Sequence, residues 1–128
     1  MSEKKVIATQ KAPQAIGPYS QAVQAGNLMF LSGQIPLNAE GNLVGETVPE
    51  QTEQVMKNIA AVLEANGLTY DDIVKTTVFL KDMGTFVQFN EVYGSFLKAP
   101  FPARACVEVS RLPKDVLVEV EAIALCSK

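Results

Sequence analysis

The chain has 128 residues, 48% hydrophobic and 20% charged, the composition of a folded domain and not of a disordered segment. Its net charge is −3 and its pI about 4.9, and no basic run is present to track a phosphate backbone, so nucleic acid is not an expected partner. It has no histidine, and its two cysteines, Cys106 and Cys126, form no CxxC, so no zinc or iron site is expected and acid–base work falls to a shifted carboxylate, a thiol, a tyrosine or bound water.

The segment Met1-Ser2-Glu3-Lys4-Lys5 is charged and no apolar signal core follows it. Nothing approaches the roughly 18 consecutive apolar residues of a membrane span. A cytoplasmic protein without a membrane partner is expected. With no repeat, low-complexity tract or linker-like shift in composition, one domain over residues 1–128 is expected.

Lys5–Thr9 is a short first strand candidate, and Gln10–Ser20 is loop-like, with Pro13, Gly17 and Pro18. Gln21–Ala25 and Leu28–Ser32 are extended candidates joined by Gly26-Asn27, a two-residue hairpin signal. Gly33–Gly45 reads as irregular. Thr47 is an N-cap with Glu50 as its capping-box partner. Beyond it Val55, Met56, Ile59, Ala60, Val62 and Leu63 fall on one helical face, until Asn66-Gly67 stops the helix. Ile73–Leu80 is rich in β-branched residues and predicts a strand. Asp82 caps a second predicted helix running to about Leu97, with an aromatic stripe at Phe86, Phe89, Tyr93 and Phe96. Pro100 and Pro102 prevent its continuation. Two strands follow, Ala103–Val109 and Val116–Leu125. The order β-β-β-α-β-α-β-β predicts an α+β fold, a mixed sheet with two helices on one face.

The last two strands hold most of the groups available for chemistry. Alternation puts Ala103, Ala105, Val107 and Val109 on one face and Arg104, Cys106, Glu108 and Ser110 on the other. In the second strand Val116, Val118, Val120, Ala122 and Ala124 share a face, opposite Leu117, Glu119, Glu121, Ile123 and Leu125. Matching the two small apolar faces beneath the helices turns Arg104, Cys106, Glu119 and Glu121 to the same side. A turn from Ser110 to Asp115 then sets Cys106 opposite Glu119 and Arg104 opposite Glu121, although a two-residue slip would keep the faces and change the partners. Three large aliphatics beside the charges predict that another chain covers this face. A plain Arg–Glu cross-strand pair is the alternative to a functional site there.

Other candidates each have a structural alternative. Tyr19, in Gly17-Pro18-Tyr19-Ser20, is either displayed at a rim or packed within its loop. Gly33, in Ser32-Gly33-Gln34, would let a ligand approach the backbone. Asn90 lies among aromatics or is a surface amide. The phenylalanine stripe reads as core, Arg111, Lys114 and Asp115 as a solvated turn, and Cys106 as a possible small buried filler. Cys126 has no assigned role.

Six segments resemble the RidA family of reactive intermediate deaminases, also called YjgF-type proteins. They are Ala15-Ile16-Gly17-Pro18-Tyr19-Ser20-Gln21, Ser32-Gly33-Gln34-Ile35-Pro36, Asp72–Phe79, Pro102–Val109, Leu112-Pro113-Lys114-Asp115 and Glu119–Ala124. They occur in family order across essentially the whole chain. The resemblance implies a chorismate-mutase-like α+β fold and a homotrimer whose sheets form a central barrel, with ligand clefts between subunits. It implies hydrolysis of 2-imino acids and their enamine tautomers, 2-iminobutanoate and 2-iminopropanoate, to 2-keto acids and ammonia, with no cofactor.

Carried over residue by residue, the resemblance makes Arg104 the receptor for the substrate carboxylate and Glu119 the group that orients or activates water. Cys106 and the small Ala105 lie beside the arginine in the pocket, and Tyr19, Ser32, Gly33 and Asn90 complete the cleft. Cys106 is not expected to be a covalent nucleophile, since a thiol beside Glu119 would be harder to ionise. Glu121 receives no task. Two other functions remain open: a small-molecule-binding regulatory or chaperone-like module using the same cleft, and an RNA-directed nuclease or translation inhibitor. The acidic pI and the lack of histidine argue against the last.

Overall fold

In the computed structural model, which describes residues 3–126, six strands form one mixed sheet. The strands are β1 (Lys4–Ile7), β2 (Ala22–Ala25), β3 (Leu28–Gln34), β4 (Ile73–Leu80), β5 (Ala103–Glu108) and β6 (Val118–Leu125). Their spatial order is β1-β2-β3-β6-β4-β5, and every pairing is antiparallel except β4 with β5. The helices are α1 (Val48–Glu64) and α2 (Phe86–Ser95). The expected α+β class and element order are thus observed. The charged N-terminal segment begins with Met1 and Ser2, which lie outside the described residues.

Local chemistry explains most boundaries. Gly26, at φ +62°, turns β2 into β3 at the first central position of the hairpin. Thr47 Oγ1 accepts from the Glu50 amide at 3.3 Å, and Glu50 Oε1 accepts from the Thr47 amide at 3.3 Å, closing the predicted capping box. Gly67, at φ +74°, ends α1 while the Leu68 amide donates to the Leu63 carbonyl. Asp82 caps a different element from the one expected: its carboxylate accepts from the Gly84 amide and starts a 3₁₀ turn, Met83–Thr85, so α2 begins only at Phe86.

Both helices pack on one face of the sheet. Val55, Met56, Ile59, Val62 and Leu63 of α1, and Phe89 of α2, are fully buried against Met29, Val78, Val118, Val120 and Ala124. A smaller cluster of Ile35, Leu37, Leu112 and Val116, with Phe79 and Val109 against it, lies apart from this main core. Three buried amides that the periodicity gave no reason to single out hold the irregular segments. Asn58 donates to the carbonyls of Ile35 (3.1 Å) and Leu37 (2.9 Å), Gln51 accepts from the Leu117 amide (2.8 Å), and Gln21 bonds both the amide and carbonyl of Thr9.

The pairing expected of the last two strands is not observed. β5 and β6 are not neighbours, because β4 lies between them. β5 returns through α2 to pair in parallel with β4, setting Arg104 beside Thr76 and Cys106 beside Val78. β6 runs antiparallel between β3 and β4, where Glu119 stands beside Phe79 and Glu121 beside Thr77. A crossover helix permits a parallel partner that a hairpin reading does not consider. The faces change as well. Arg104 and Cys106 turn toward the helices, Cys106 packing against the main core and Arg104 lying on α2. Glu119 and Glu121 turn away from the helices, on the face opposite buried Val118 and Val120. Matching small apolar faces failed because β5 is an edge strand. Its Ala/Val face belongs to the uncovered side of the sheet, and α2 offers rings and an amide to a cation on the other.

That uncovered face carries an apolar row across four strands: Val6 pairs with Val23, Val23 with Phe30 and Phe30 with Ile123. Val6 is 59% exposed, Phe30 39% and, further along the face, Val107 44%. The aliphatic character expected there is present, except that Leu117 packs partly into the main core.

Candidate active site

The candidate residues fall into two groups on opposite faces of the sheet. The acidic group is built around Glu119 of β6. Tyr19, Ser32, Gly33 and Glu119 line an open cleft of about 400 Å³, together with Ile16, Ile35, Pro113 and Glu121. Glu119 can lie where it does because Gly33 has no side chain. A Cβ there would stand 2.9 Å from Glu119 Cδ and 3.1 Å from Cγ, and closer still to Oε2. The β3–β6 register shifts between Leu31 and Gln34, so Gly33 sits at an irregularity where a carboxylate crosses bare backbone. The close approach that the sequence assigned to a ligand is made, within the chain, by Glu119.

Ser32 holds the wall of this cleft. Its hydroxyl donates to the Ser20 carbonyl at 2.6 Å, and its amide donates to the Gln21 carbonyl at 2.9 Å. Tyr19 is 49% exposed, with its hydroxyl accepting from the Ile16 amide at 3.3 Å, which places it at the rim. Burial raises the pKa of the Glu119 carboxyl above its ordinary value, and the charge of Glu121 on the same strand face adds to the rise. Glu121, left without a task by the sequence, therefore lines the cleft and makes Glu119 a stronger base.

The cationic group lies on the helix side. Arg104, Asn90, Tyr93, Gly94, Phe101 and Pro102 line a cleft of about 250 Å³. Arg104 Nη1 donates to Asn90 Oδ1 at 2.7 Å, and its guanidinium lies 5.4 Å from the Phe86 ring centroid and 5.2 Å from that of Tyr93. Among the described residues Arg104 makes no ion pair. The arginine–glutamate alternative is therefore not what this strand carries. Among the described residues the positive charge has no anion beside it, and it is open to one from outside.

Cys106 and Ala105 line neither cleft. Cys106 is half-buried, and burial raises its pKa while Arg104 pulls it down. The thiol is unactivated, but through burial and not through a neighbouring Glu119. Ala105 points to the uncovered face, beside Thr77. Phe86 and Tyr93 were missed as site residues because their spacing reads equally well as core. The available signal was Asn90, four residues after Phe86 and three before Tyr93, which puts an amide between two rings on one helix face.

Known proteins share this architecture and sequence. The endoribonuclease L-PSP family profile matches residues 9–126. A RutC family protein of Pyrococcus horikoshii is 54% identical over 122 residues, covering 94% of this chain and 97% of its own. A 2-iminobutanoate/2-iminopropanoate deaminase of Salmonella typhimurium is 52% identical over 124 residues, covering 94% and 97%. Among solved structures, Escherichia coli TdcF with bound serine superposes with a TM-score of 0.91 at 46% identity, covering 96% of this chain and 99% of that one. The chain belongs to the endoribonuclease L-PSP family, the RidA/YjgF family that its ordered motifs resemble.

Proposed function

We propose that this protein is a 2-iminobutanoate/2-iminopropanoate deaminase, hydrolysing 2-imino acids and their enamine tautomers to 2-keto acids and ammonia. The observation that carries this reading is Arg104: a guanidinium in a cleft, held by an amide and two rings and without a carboxylate partner among the described residues. Such a group suits a substrate carboxylate through two parallel hydrogen bonds. The deaminase name borne by relatives about half identical supports the same chemistry.

In this reading Glu119 accepts a proton from water as the water adds to carbon 2 of the protonated imine. The carbinolamine then collapses to the keto acid and releases ammonia. A base strengthened by burial and by Glu121 fits that step. The imine carbon is already electrophilic, so holding carboxylate and water in line supplies much of the barrier reduction. No cofactor is required.

Arg104 and Glu119 face opposite sides of their own sheet, so one chain does not present both to one small substrate. We place the complete site between copies, with the Arg104 group of one subunit closing on the Glu119 group of another. The apolar row on the uncovered face supports an interface between copies there, and the homotrimer is the assembly that the family resemblance implies. In this reading the protein clears, in the cytoplasm, reactive imines released by pyridoxal-phosphate enzymes.

The test generates 2-iminobutanoate in situ with threonine dehydratase and follows its loss. The protein is expected to accelerate hydrolysis, and Arg104→Ala to abolish the acceleration. Wild-type protein without effect would refute the proposal. A second reading, a small-molecule-binding regulatory module, is favoured by the serine bound to TdcF. It predicts ligand binding without turnover, indifferent to Glu119→Gln.

A further inference from the structure

The chain has two arginines, and they are held in opposite ways. Arg111 grips Asp115 through bonds of 2.7 and 3.2 Å in an exposed turn. Among the described residues, the groups that hold Arg104 are neutral: Asn90 Oδ1 and the rings of Phe86 and Tyr93. Those three residues fall at i, i+4 and i+7 on one face of α2. The Tyr93 ring is fixed in turn, since its hydroxyl shares a 2.7 Å hydrogen bond with Thr76 Oγ1. Thr76 is 1% exposed and Tyr93 6%. Thr76 also stands beside Arg104 in the parallel β4–β5 ladder. Thr76, Tyr93 and Arg104 thus close a ring of contacts across β4, α2 and β5, with Asn90 bonded to the arginine.

Packing alone does not call for this hydroxyl pair. Valine and phenylalanine would fill the same space without polar atoms to satisfy. What the pair supplies is direction, because it fixes the height and tilt of the ring on which the guanidinium rests. An exposed arginine on an edge strand otherwise samples many rotamers, whereas a bidentate grip on a carboxylate needs one plane.

We propose that Thr76 and Tyr93, with Phe86, are positioning residues that hold the Arg104 guanidinium in one orientation for an incoming carboxylate while leaving its charge uncompensated. This rests on Arg104 being the carboxylate receptor of the proposed deaminase. Neutral holders are essential to the arrangement, since a carboxylate in their place would occupy the donors the ligand requires.

The two arginines give two side-chain Nε–H signals in NMR, with Arg111 as internal control. Thr76→Val and Tyr93→Phe each remove the hydroxyl pair and keep the bulk. In both, exchange of the Arg104 Nε–H with water should rise several-fold while that of Arg111 stays fixed. Affinity for 2-oxobutanoate, the product keto acid, should fall by about tenfold. KM for the imine should rise by a similar factor with kcat within about twofold, because the contact is made equally in ground and transition states. Thr76→Ser should restore all three. Unchanged Arg104 exchange and unchanged 2-oxobutanoate affinity in both variants would overturn the proposal, as would losses that Thr76→Ser does not restore. Wild-type protein that binds 2-oxobutanoate through a clamped Arg104 but hydrolyses no imine would refute the deaminase reading and still support the clamp.

Discussion

The two halves of the candidate site are built on contrary principles. The acidic half is made by removal: Gly33 withholds a side chain, the strand register slips, and Glu119 settles over bare backbone into a partly desolvated cleft. The cationic half is made by addition: α2 supplies an amide and two rings to an edge-strand arginine that has no anion partner among the described residues. One half raises the basicity of a carboxylate by denying it water and placing Glu121 nearby. The other preserves a positive charge by holding it with neutral groups. They stand on opposite faces of one sheet, so a thin domain makes two incomplete surfaces, and a second copy is the simplest means of joining them.

Substitutions separate the halves. The largest effect is expected from Arg104→Ala, a loss of about a hundredfold or more in kcat/KM, the order of a charge-assisted bidentate contact. Thermal stability should barely change, since the side chain is exposed and makes no ion pair among the described residues; a large fall in melting temperature would mean that Arg104 is structural. Gly33→Ala comes next. The new Cβ displaces the flexible end of Glu119, so activity should drop by about tenfold while the fold survives. Undiminished turnover would separate Gly33 from the chemistry.

Glu119→Gln sharpens the electrostatic side of the comparison. The folded-state pKa of Glu119 is raised, so the folded chain holds this proton more tightly than the unfolded chain. Its favourable contribution is complete below the unfolded value, near 4.5, and is lost as pH rises through the folded one. Relative to wild type, the glutamine variant should therefore gain stability as pH climbs above about 4.5 in parallel melting curves. The opposite slope would mean that Arg104 of a neighbouring copy, which the proposed assembly brings to this cleft, outweighs burial and Glu121; no slope at all would contradict the shift. Thr47→Ala, remote from both halves, should cost about 1 kcal/mol through the lost cap and leave kcat/KM untouched. Arg111→Ala should change neither quantity measurably, since its pair with Asp115 is fully solvated.

Much of this was legible in the residues. The capping box at Thr47 and Glu50, the Gly26-Asn27 hairpin, the β-branched run at Ile73–Leu80 and the α1 stripe each follow from a local rule, and each element appears where that rule puts it. Partner choice between strands is not local. Nothing within 103–125 reveals that β4 inserts between β5 and β6, because the parallel β4–β5 pair depends on α2 as a crossover. The face of Arg104 was hidden for the same reason. Alternation showed which residues travel with it, but only α2, with Asn90 between two rings, decides to which side they turn. The family motifs named the candidate residues without revealing their division between two faces.

The division of the site between copies is tested most directly by mixing two inactive variants. Arg104→Ala lacks one half and Glu119→Gln the other. If each complete site takes Arg104 from one chain and Glu119 from its neighbour, subunits exchanged between the two variants should recover imine hydrolysis that neither shows alone, and a mixture with the double variant should not. No recovery after verified subunit exchange would mean that both groups act within a single chain, and would contradict the account.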